Sequence, residues 1–402
     1  GAVVPNGADI VVPYEETEYL DNGEIRILPS NRRHVGSAIH PIGSDHNSSE
    51  ILVRAGCIIG SREIAIAATC GYSKLKISNN PSIAVVTTGD ELVSVSEIPK
   101  SYQNRRSNDL SMVATLNSLG YRVNECAHLN DELISLKASL VRLTKSYEIV
   151  LVSGGISKGK KDFIPSVLDE IGLTCQFHGV AQKPGKPLGF WSNDLCSVFA
   201  LPGNPQSTLT CIHHYVLPAL EAASGNNINK NTSVDLSDSA TGIENITTFL
   251  PVSVTAGNKA TQCPCQNSGD LVKILSSVDL MKTLIQADEA KTIISKHLRK
   301  FSSSYIPIEK CAGRTLRQDI AADRPLPPFN RSMMDGYALR FSDIAKVDSF
   351  NLSATAAAGT QKITLNNKIG SCIEIMTGAV VPNGADIVVP YEETEYLDNG
   401  EI

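Results

Sequence analysis

Four short loops hold the residues of this chain whose types and spacing could do chemistry. The first is Thr87-Thr88-Gly89-Asp90-Glu91-Leu92, where glycine allows a sharp turn and two adjacent carboxylates could hold hydrated magnesium (Mg2+). An acidic helix start, favoured by the helix dipole, would use the same pair. The second runs from Ser153-Gly154-Gly155 through Ser157 and Lys158 to Asp162. Its small residues let backbone N–H groups approach a phosphate, and its lysines add positive charge. The Walker spacing is absent, and Asp162 would serve equally as the N-cap of a following helix. The third, Lys183-Pro184-Gly185-Lys186-Pro187, holds two ammonium groups near each other on a stiff turn, an arrangement that an oxyanion or simple solvation would relieve. The fourth, Leu201-Pro202-Gly203-Asn204-Pro205-Gln206-Ser207, enters a helix whose N-terminus offers a further anion site, or is a plain strand-to-helix turn.

Together the loops suit a phosphorylated ligand, a divalent metal and an oxyanion. No Ser-His-Asp or Cys-His arrangement stands out, and His213-His214 beside Cys211 are expected to be structural. The lone Cys263-Pro264-Cys265 is a poor metal motif, and ten scattered cysteines fit reduced thiols in a cytoplasmic protein. A net charge of −6 argues against broad polyanion binding, so no nucleic-acid partner is expected. No apolar run approaches the length of a membrane span, and no signal peptide is evident at residue 1 or at Met281.

The elements that must position these loops alternate strand and helix between residues 83 and 220. Ile83–Thr88, Tyr121–Cys126, Glu148–Val152 and Val198–Leu201 read as strands. Helical faces run through Leu110–Leu119, Leu133–Leu143 and Phe163–Ile171. That rhythm predicts a doubly wound, mainly parallel sheet, with ligands at the carboxyl ends of its strands. The whole is an α/β multidomain chain with small β domains and a helical, mixed linker domain. Residues 281–347 with 41–80 form the mixed domain, 348–402 continuing into 26–40 a small β domain, 81–224 the doubly wound domain, and 225–280 a linker and C-terminal β domain.

The first twenty-five residues recur letter for letter as Gly378–Ile402. Two perfect copies at opposite ends are unlike a diverged repeat array, which needs several units to bury a common core. The simplest reading is a chain rotated in its order, with 281–402 preceding 26–280. Met281 then opens a stretch with an acidic first turn, a helical apolar face and basic residues near its end. On that reading one copy completes the small β domain, and the other is either displaced onto a neighbouring subunit or only a product of how the chain was joined.

In the rotated order the motifs resemble those of the molybdopterin molybdenumtransferases, the MoeA family related to the E domain of gephyrin. TTGDEL, SGGISKGKKD, KPGKP and LPGNPQS follow one another as in that family. Pro327-Pro328-Phe329…Met334-Asp335-Gly336-Tyr337-Ala338 and Met376-Thr377-Gly378-Ala379 resemble its earlier signatures. The resemblance implies an elongated homodimer of four-domain subunits. It implies insertion of molybdate into adenylylated molybdopterin (molybdopterin-AMP), with AMP release and Mg2+ assistance, and an adenylyltransferase as a partner. Carried over residue by residue, Asp335, Thr377, Glu91 and Asp162 would be catalytic. Asp90, Glu91 and Asp162 would hold the metal. Gly89, Asp90, Ser153, Gly154, Gly155, Ser157, Pro202, Gly203, Asn204 and Pro205 would bind the pterin ligand, with Lys183, Lys186 and Ser207 on molybdate.

The chain departs from the family pattern at four places. Asn330 stands where the family has an acid, with Arg331 after it. His40 and Ser44 stand where arginine and glutamate are usual, and Pro251 follows Phe249-Leu250 where arginine often lies. These changes bear on molybdate affinity, and the alternative reading is a catalytically impaired molybdopterin-binding scaffold of the same family.

Overall fold

The computed structural model describes residues 12–13, 17–23, 25–27, 39–157, 162–226, 235–237, 244–250, 252–255, 259–262, 285–347, 349–359, 361–377, 379, 382–385, 387–390 and 393–401. Lys158, Gly159, Lys160, Lys161, Pro251, Cys263, Cys265 and Gly378 lie outside these. The chain divides into two compact units, residues 54–68 with 72–319, and residues 1–53, 69–71 and 320–402.

The larger unit is built on a six-stranded sheet. Its strands are β1 (Ile83–Thr88), β2 (Val123–Leu129), β3 (Ile149–Ser153), β4 (Thr174–His178), β5 (Gly189–Ser192) and β6 (Ser197–Leu201). They lie in the order β2-β1-β3-β6-β5-β4. The first four in that order are parallel, whereas β5 runs antiparallel to both of its neighbours. The sheet is thus mainly parallel, as the rhythm predicts, with an antiparallel edge that the sequence reading does not contain.

Successive residues of each central strand point to opposite faces, and both faces are covered. Ile83, Val85, Ile149, Leu151, Phe199 and Leu201 pack on one side with Met112 and Leu116 of α1 (Asn108–Ser118). Ala84, Val86, Val150, Val152, Val198 and Ala200 pack on the other with Leu136, Leu140 and Leu143 of α2 (Leu133–Ser146) and Val167 and Leu168 of α3 (Ile164–Glu170). Covering both faces explains why these strands read as unbroken apolar runs. Because β2 and β3 lie on opposite sides of β1, the strand order reverses there, opening a crevice at the carboxyl ends of β1 and β3.

After β6 the chain enters α4 (Pro205–Cys211), a π-helix (Ile212–Val216) and α5 (Leu217–Ser224), ended by Gly225 in a left-handed conformation. A helix at Ala287–His297 adds Ala290 and Ile294 to the first face. Strands 235–236, 252–255 and 259–262 form a separate small sheet.

In the smaller unit, Gly336–Leu339 is the central strand of three. Tyr337 and Leu339 enter one core with Phe350, Cys372 and Val389, while Ala338 enters another with Ile373, Ile375 and Val388. The duplicated segment corrects an expectation here. Both copies pair antiparallel with that strand, Val12 and Val389 each opposite Tyr337, and Pro13 and Pro390 each opposite Gly336. The copies also pair with each other in parallel, over 17–23 and 393–401, one position out of register. A strand has two hydrogen-bonding edges, so an identical ladder partner can take each, and neither copy need be displaced. They differ in extent, since 387–390 pairs all four residues of the strand and 12–13 only two.

Candidate functional site

The candidate site of the larger unit lies where β1, β3 and β6 end. The backbone N–H of Gly154, just past β3, donates to the carbonyl of Leu201 at the end of β6 at 3.1 Å. Gly154 has φ +104°, and a Cβ there would lie 2.6 Å from the Thr88 carbonyl oxygen at the end of β1. A Cβ on Gly155 would meet Thr88 Oγ1 at 3.0 Å, and one on Gly203 the Gly154 Cα at 3.6 Å. The three loops therefore lie in contact, and at Gly154 the backbone of β1 leaves no room for a side chain, whereas a Cβ on Gly203 would make only an ordinary contact.

Asn108, the first residue of α1, fastens them. Its side-chain amide nitrogen donates its two hydrogens to Ser153 Oγ and the Gly203 carbonyl, both at 2.8 Å, and lies 3.3 Å from Thr208 Oγ1. Ser153 Oγ in turn donates to the Pro202 carbonyl at 2.9 Å, and Thr208 Oγ1 to the same carbonyl at 2.5 Å. Ser153 is 1% exposed and its hydroxyl is committed to this network, so it braces the loops. Sequence reading passes over Asn108, because its partners lie 45 and 95 residues away.

The acidic loop has no helix to start. Asp90 and Glu91 are exposed in a turn, Leu92–Val93 pairs with Asn104–Arg105, and the next helix begins only at Asn108. Asp90 Oδ1 accepts the N–H of Asp131 at 3.0 Å, drawing the end of β2 towards this loop. The Glu91 carboxylate folds over Gly89, within 2.7 Å of where a Cβ would stand. Asp162 is half-buried and is not the cap of α3; that position is Phe163. The described part of the second loop leaves Ser157 exposed.

The lysine loop is held beside α4. Lys183 and Lys186 are half-buried, and the Lys183–Pro184 bond is cis. Gln182–Lys183 pairs with Thr247–Thr248, and the Lys183 carbonyl accepts the Phe249 N–H at 2.8 Å. In the fourth loop Asn204 Oδ1 accepts the Ser207 N–H at 3.1 Å and faces the Ser207 hydroxyl at 3.3 Å. One of the free N–H groups expected to meet an anion is thus already capped by the protein. Gly203 is exposed, and Asn204 and Pro205 half-buried. His214 stacks on Phe249 with ring centroids 4.0 Å apart, and Cys211 is fully buried, in keeping with structural roles.

The smaller unit brings Asp335 and Thr377 together, the Thr377 N–H donating to Asp335 Oδ1. Nearby in sequence, the Ile42 N–H donates to Asn330 Oδ1 at 2.7 Å. His40 lies between Arg331, 2.9 Å from its Nδ1, and Asp45, 2.9 Å from its Nε2. Ser44 is exposed.

A family described as the MoeA N-terminal region (domain I and II) matches residues 1–71 and 285–401. One described as a probable molybdopterin binding domain matches residues 84–222, which span all four loops of the sheet edge. A molybdopterin molybdenumtransferase of Synechocystis sp. is 33% identical over 283 residues, covering 69% of this chain and 70% of that protein. The chain belongs to the molybdopterin molybdenumtransferase family. Gephyrin of Dictyostelium discoideum is 34% identical over 261 residues, covering 58% of this chain and 36% of that protein. The crystal structure of a molybdopterin biosynthesis moeA protein from Pyrococcus horikosii superposes with a TM-score of 0.51 at 25% identity, covering 78% of this chain and 69% of that one. Membership of the molybdopterin molybdenumtransferase family places the chain in molybdenum cofactor biosynthesis.

Among the described residues, no group of three or more His, Cys, Asp or Glu side chains is placed to hold a metal on its own. No helix among the described residues is long and apolar enough to cross a membrane.

Proposed function

We propose that this chain inserts molybdate into adenylylated molybdopterin, releasing AMP and forming the molybdenum cofactor, as a four-domain, cytoplasmic homodimer supplied by an adenylyltransferase. The observation that carries this reading is the convergence of three strand-end loops at the crevice between β1 and β3, with family membership behind it. Gly154, Gly155 and Gly203 offer a backbone surface that a phosphate can approach closely. Lys183 and Lys186 neutralise the oxyanion, and Ser207 at the helix start is assigned to the same subsite. Asp90 and Glu91, adjacent in the turn after β1, are the carboxylates that would hold magnesium together with substrate phosphates, and the metal when bound would offset the phosphate charge developed as AMP leaves; Asp162 does not join them in a three-carboxylate group. Asp335, which fixes the Thr377 loop, is assigned to the same reaction.

The rotated order of the chain is part of this reading. Support comes from the two-part match of the N-terminal region, on either side of the molybdopterin-binding match, and from the order of the motifs. The duplicated strand favours neither order, since both copies find an edge to pair with.

The test is direct. Incubated with adenylylated molybdopterin, Mg2+ and molybdate, the protein should release AMP at a rate that rises with molybdate. Binding of the pterin with no molybdate-stimulated AMP release would leave a scaffold instead.

A further inference from the structure

Directly beneath the lysine loop lies a buried polar group that the reaction itself does not call for. Gln182, Cys211 and Tyr215 are 2%, 0% and 1% exposed. The Gly185 carbonyl can only accept, which settles the direction of the Gln182 amide and leaves Oε1 to accept from the Tyr215 hydroxyl. Gln182 Nε2 then donates to the Gly185 carbonyl at 3.1 Å, and Cys211 Sγ lies 3.6 Å from the same nitrogen. Gly185 has φ +98°, and a Cβ there would stand 2.5 Å from Gln182 Nε2 and 2.7 Å from Cys211 Sγ. The turn between the two lysines is therefore seated on this group without a gap.

Such an arrangement is costly unless it is complete, because an amide buried without partners loses its hydration. Here both ends of the Gln182 amide are used, and one of the bonds goes to the backbone of the turn. The supporting residues belong to the helical segment that starts at the fourth loop. Ser207 lies in the first turn of α4, Cys211 ends it, and Tyr215 sits in the π-helix that follows. One helical segment thus carries Ser207 and also underpins the loop bearing Lys183 and Lys186. From the other side, Phe249 N–H holds the Lys183 carbonyl, and Val180 N–H holds that of Lys186 at 2.9 Å.

We infer that Gln182 and Tyr215 are positioning residues of the oxyanion subsite, fixing the turn from which Lys183 and Lys186 project relative to Ser207. The inference rests on the reading of the lysine loop as the place where molybdate is held. Two like charges on a loose turn would spread apart, and an anion would have to gather them on binding. A preset turn removes that ordering step, and the gain goes to anion affinity rather than to the pterin.

The experiment is calorimetric titration of the full chain with inorganic molybdate, and separately with adenylylated molybdopterin, for wild type, Tyr215→Phe and Gln182→Leu. Tyr215→Phe removes one hydroxyl without changing the ring, so it keeps the test open if Gln182→Leu does not fold. The molybdate dissociation constant should rise about three- to tenfold in Tyr215→Phe and about tenfold or more in Gln182→Leu. Affinity for the adenylylated pterin should stay within about twofold. Unchanged molybdate affinity in Tyr215→Phe, an equal loss for both ligands, or no molybdate binding by the wild type would overturn the inference. AMP release is measured apart from these titrations. A wild type that binds molybdate with the expected dependence on Tyr215 but releases no AMP would refute the proposed reaction and leave the positioning role standing.

Discussion

Replacing Gly154 by alanine tests whether the close approach of the loops is a structural necessity. The added Cβ meets two separate penalties. At φ +104° an L-residue is strained by about 1–3 kcal/mol. The same Cβ would stand 2.6 Å from the Thr88 carbonyl oxygen and 2.8 Å from Thr88 Oγ1. The hydroxyl can rotate away, but the carbonyl belongs to the end of a central strand, so the overlap adds about 1–3 kcal/mol. Gly172 is the matched control, with φ +89° and nothing within 4 Å of its Cβ position. Gly172→Ala carries only the conformational cost, about 1–2 kcal/mol. At about 2–4 °C per kcal/mol for a domain of this size, Gly154→Ala should melt several degrees below Gly172→Ala in differential scanning calorimetry. It should also lose adenylylated pterin binding, which Gly172→Ala should keep. Melting points within a degree of each other would refute the argument that Thr88 and Gly154 are in enforced contact.

Three further outcomes follow from the geometry. Asn108→Leu removes the two hydrogen bonds its amide gives to Ser153 and Gly203 and leaves buried partners unmatched, so urea denaturation should show a loss of about 2–4 kcal/mol. Glu91→Gln, at an exposed turn, should change stability by no more than about 0.5 kcal/mol while AMP release falls about a hundredfold or more. Burial, and then the Arg106 charge, hold the His128 imidazole below its ordinary pKa. The unfolded chain therefore takes up that proton first, so this contribution is present above about pH 6.5 and fades as pH falls towards the folded value. The urea midpoint should drop between pH 7.5 and 5.5, and less so in His128→Gln; equal slopes would remove His128 as the cause.

The parallel core of the sheet was legible because burial on both faces leaves continuous apolar runs such as Ile83-Ala84-Val85-Val86 and Ile149-Val150-Leu151-Val152. The loops were legible because glycine, proline and charge mark each strand end. The antiparallel edge was not. Thr174–His178 mixes polar and apolar residues without clear alternation, and Gly189–Ser192 is four residues long just after a proline-rich turn. Nor could local pattern distinguish an acidic helix start from the excursion at 90–105, whose pairing of Leu92–Val93 with Asn104–Arg105 is non-local. The residues that brace the site were hidden for the same reason. Asn108, Gln182 and Tyr215 are ordinary polar residues in sequence, and contacts across 33 to 95 positions give them their work.

The departures from the family pattern show the same principle in the smaller unit. Read one at a time, histidine at 40 is a lost cation and arginine at 331 an added one. In the fold they touch, and strand pairing brings them together, with Arg331 opposite His40. A guanidinium only donates, so His40 Nδ1 must accept from Arg331, and the ring proton sits on Nε2, donated to Asp45. The imidazole thus links a permanent cation to a carboxylate rather than supplying the charge itself. Asn330, next to Arg331, turns its amide oxygen to the Ile42 N–H, and so ties this strand to the segment that carries His40 and Asp45. The residues at 40 and 331 are therefore one bonded pair, and Asn330 acts beside them through the backbone of Ile42. Changing His40 or Arg331 alone would break the hydrogen bonds between them, so their effects on binding must be measured jointly, as in a double-mutant cycle of His40 and Arg331.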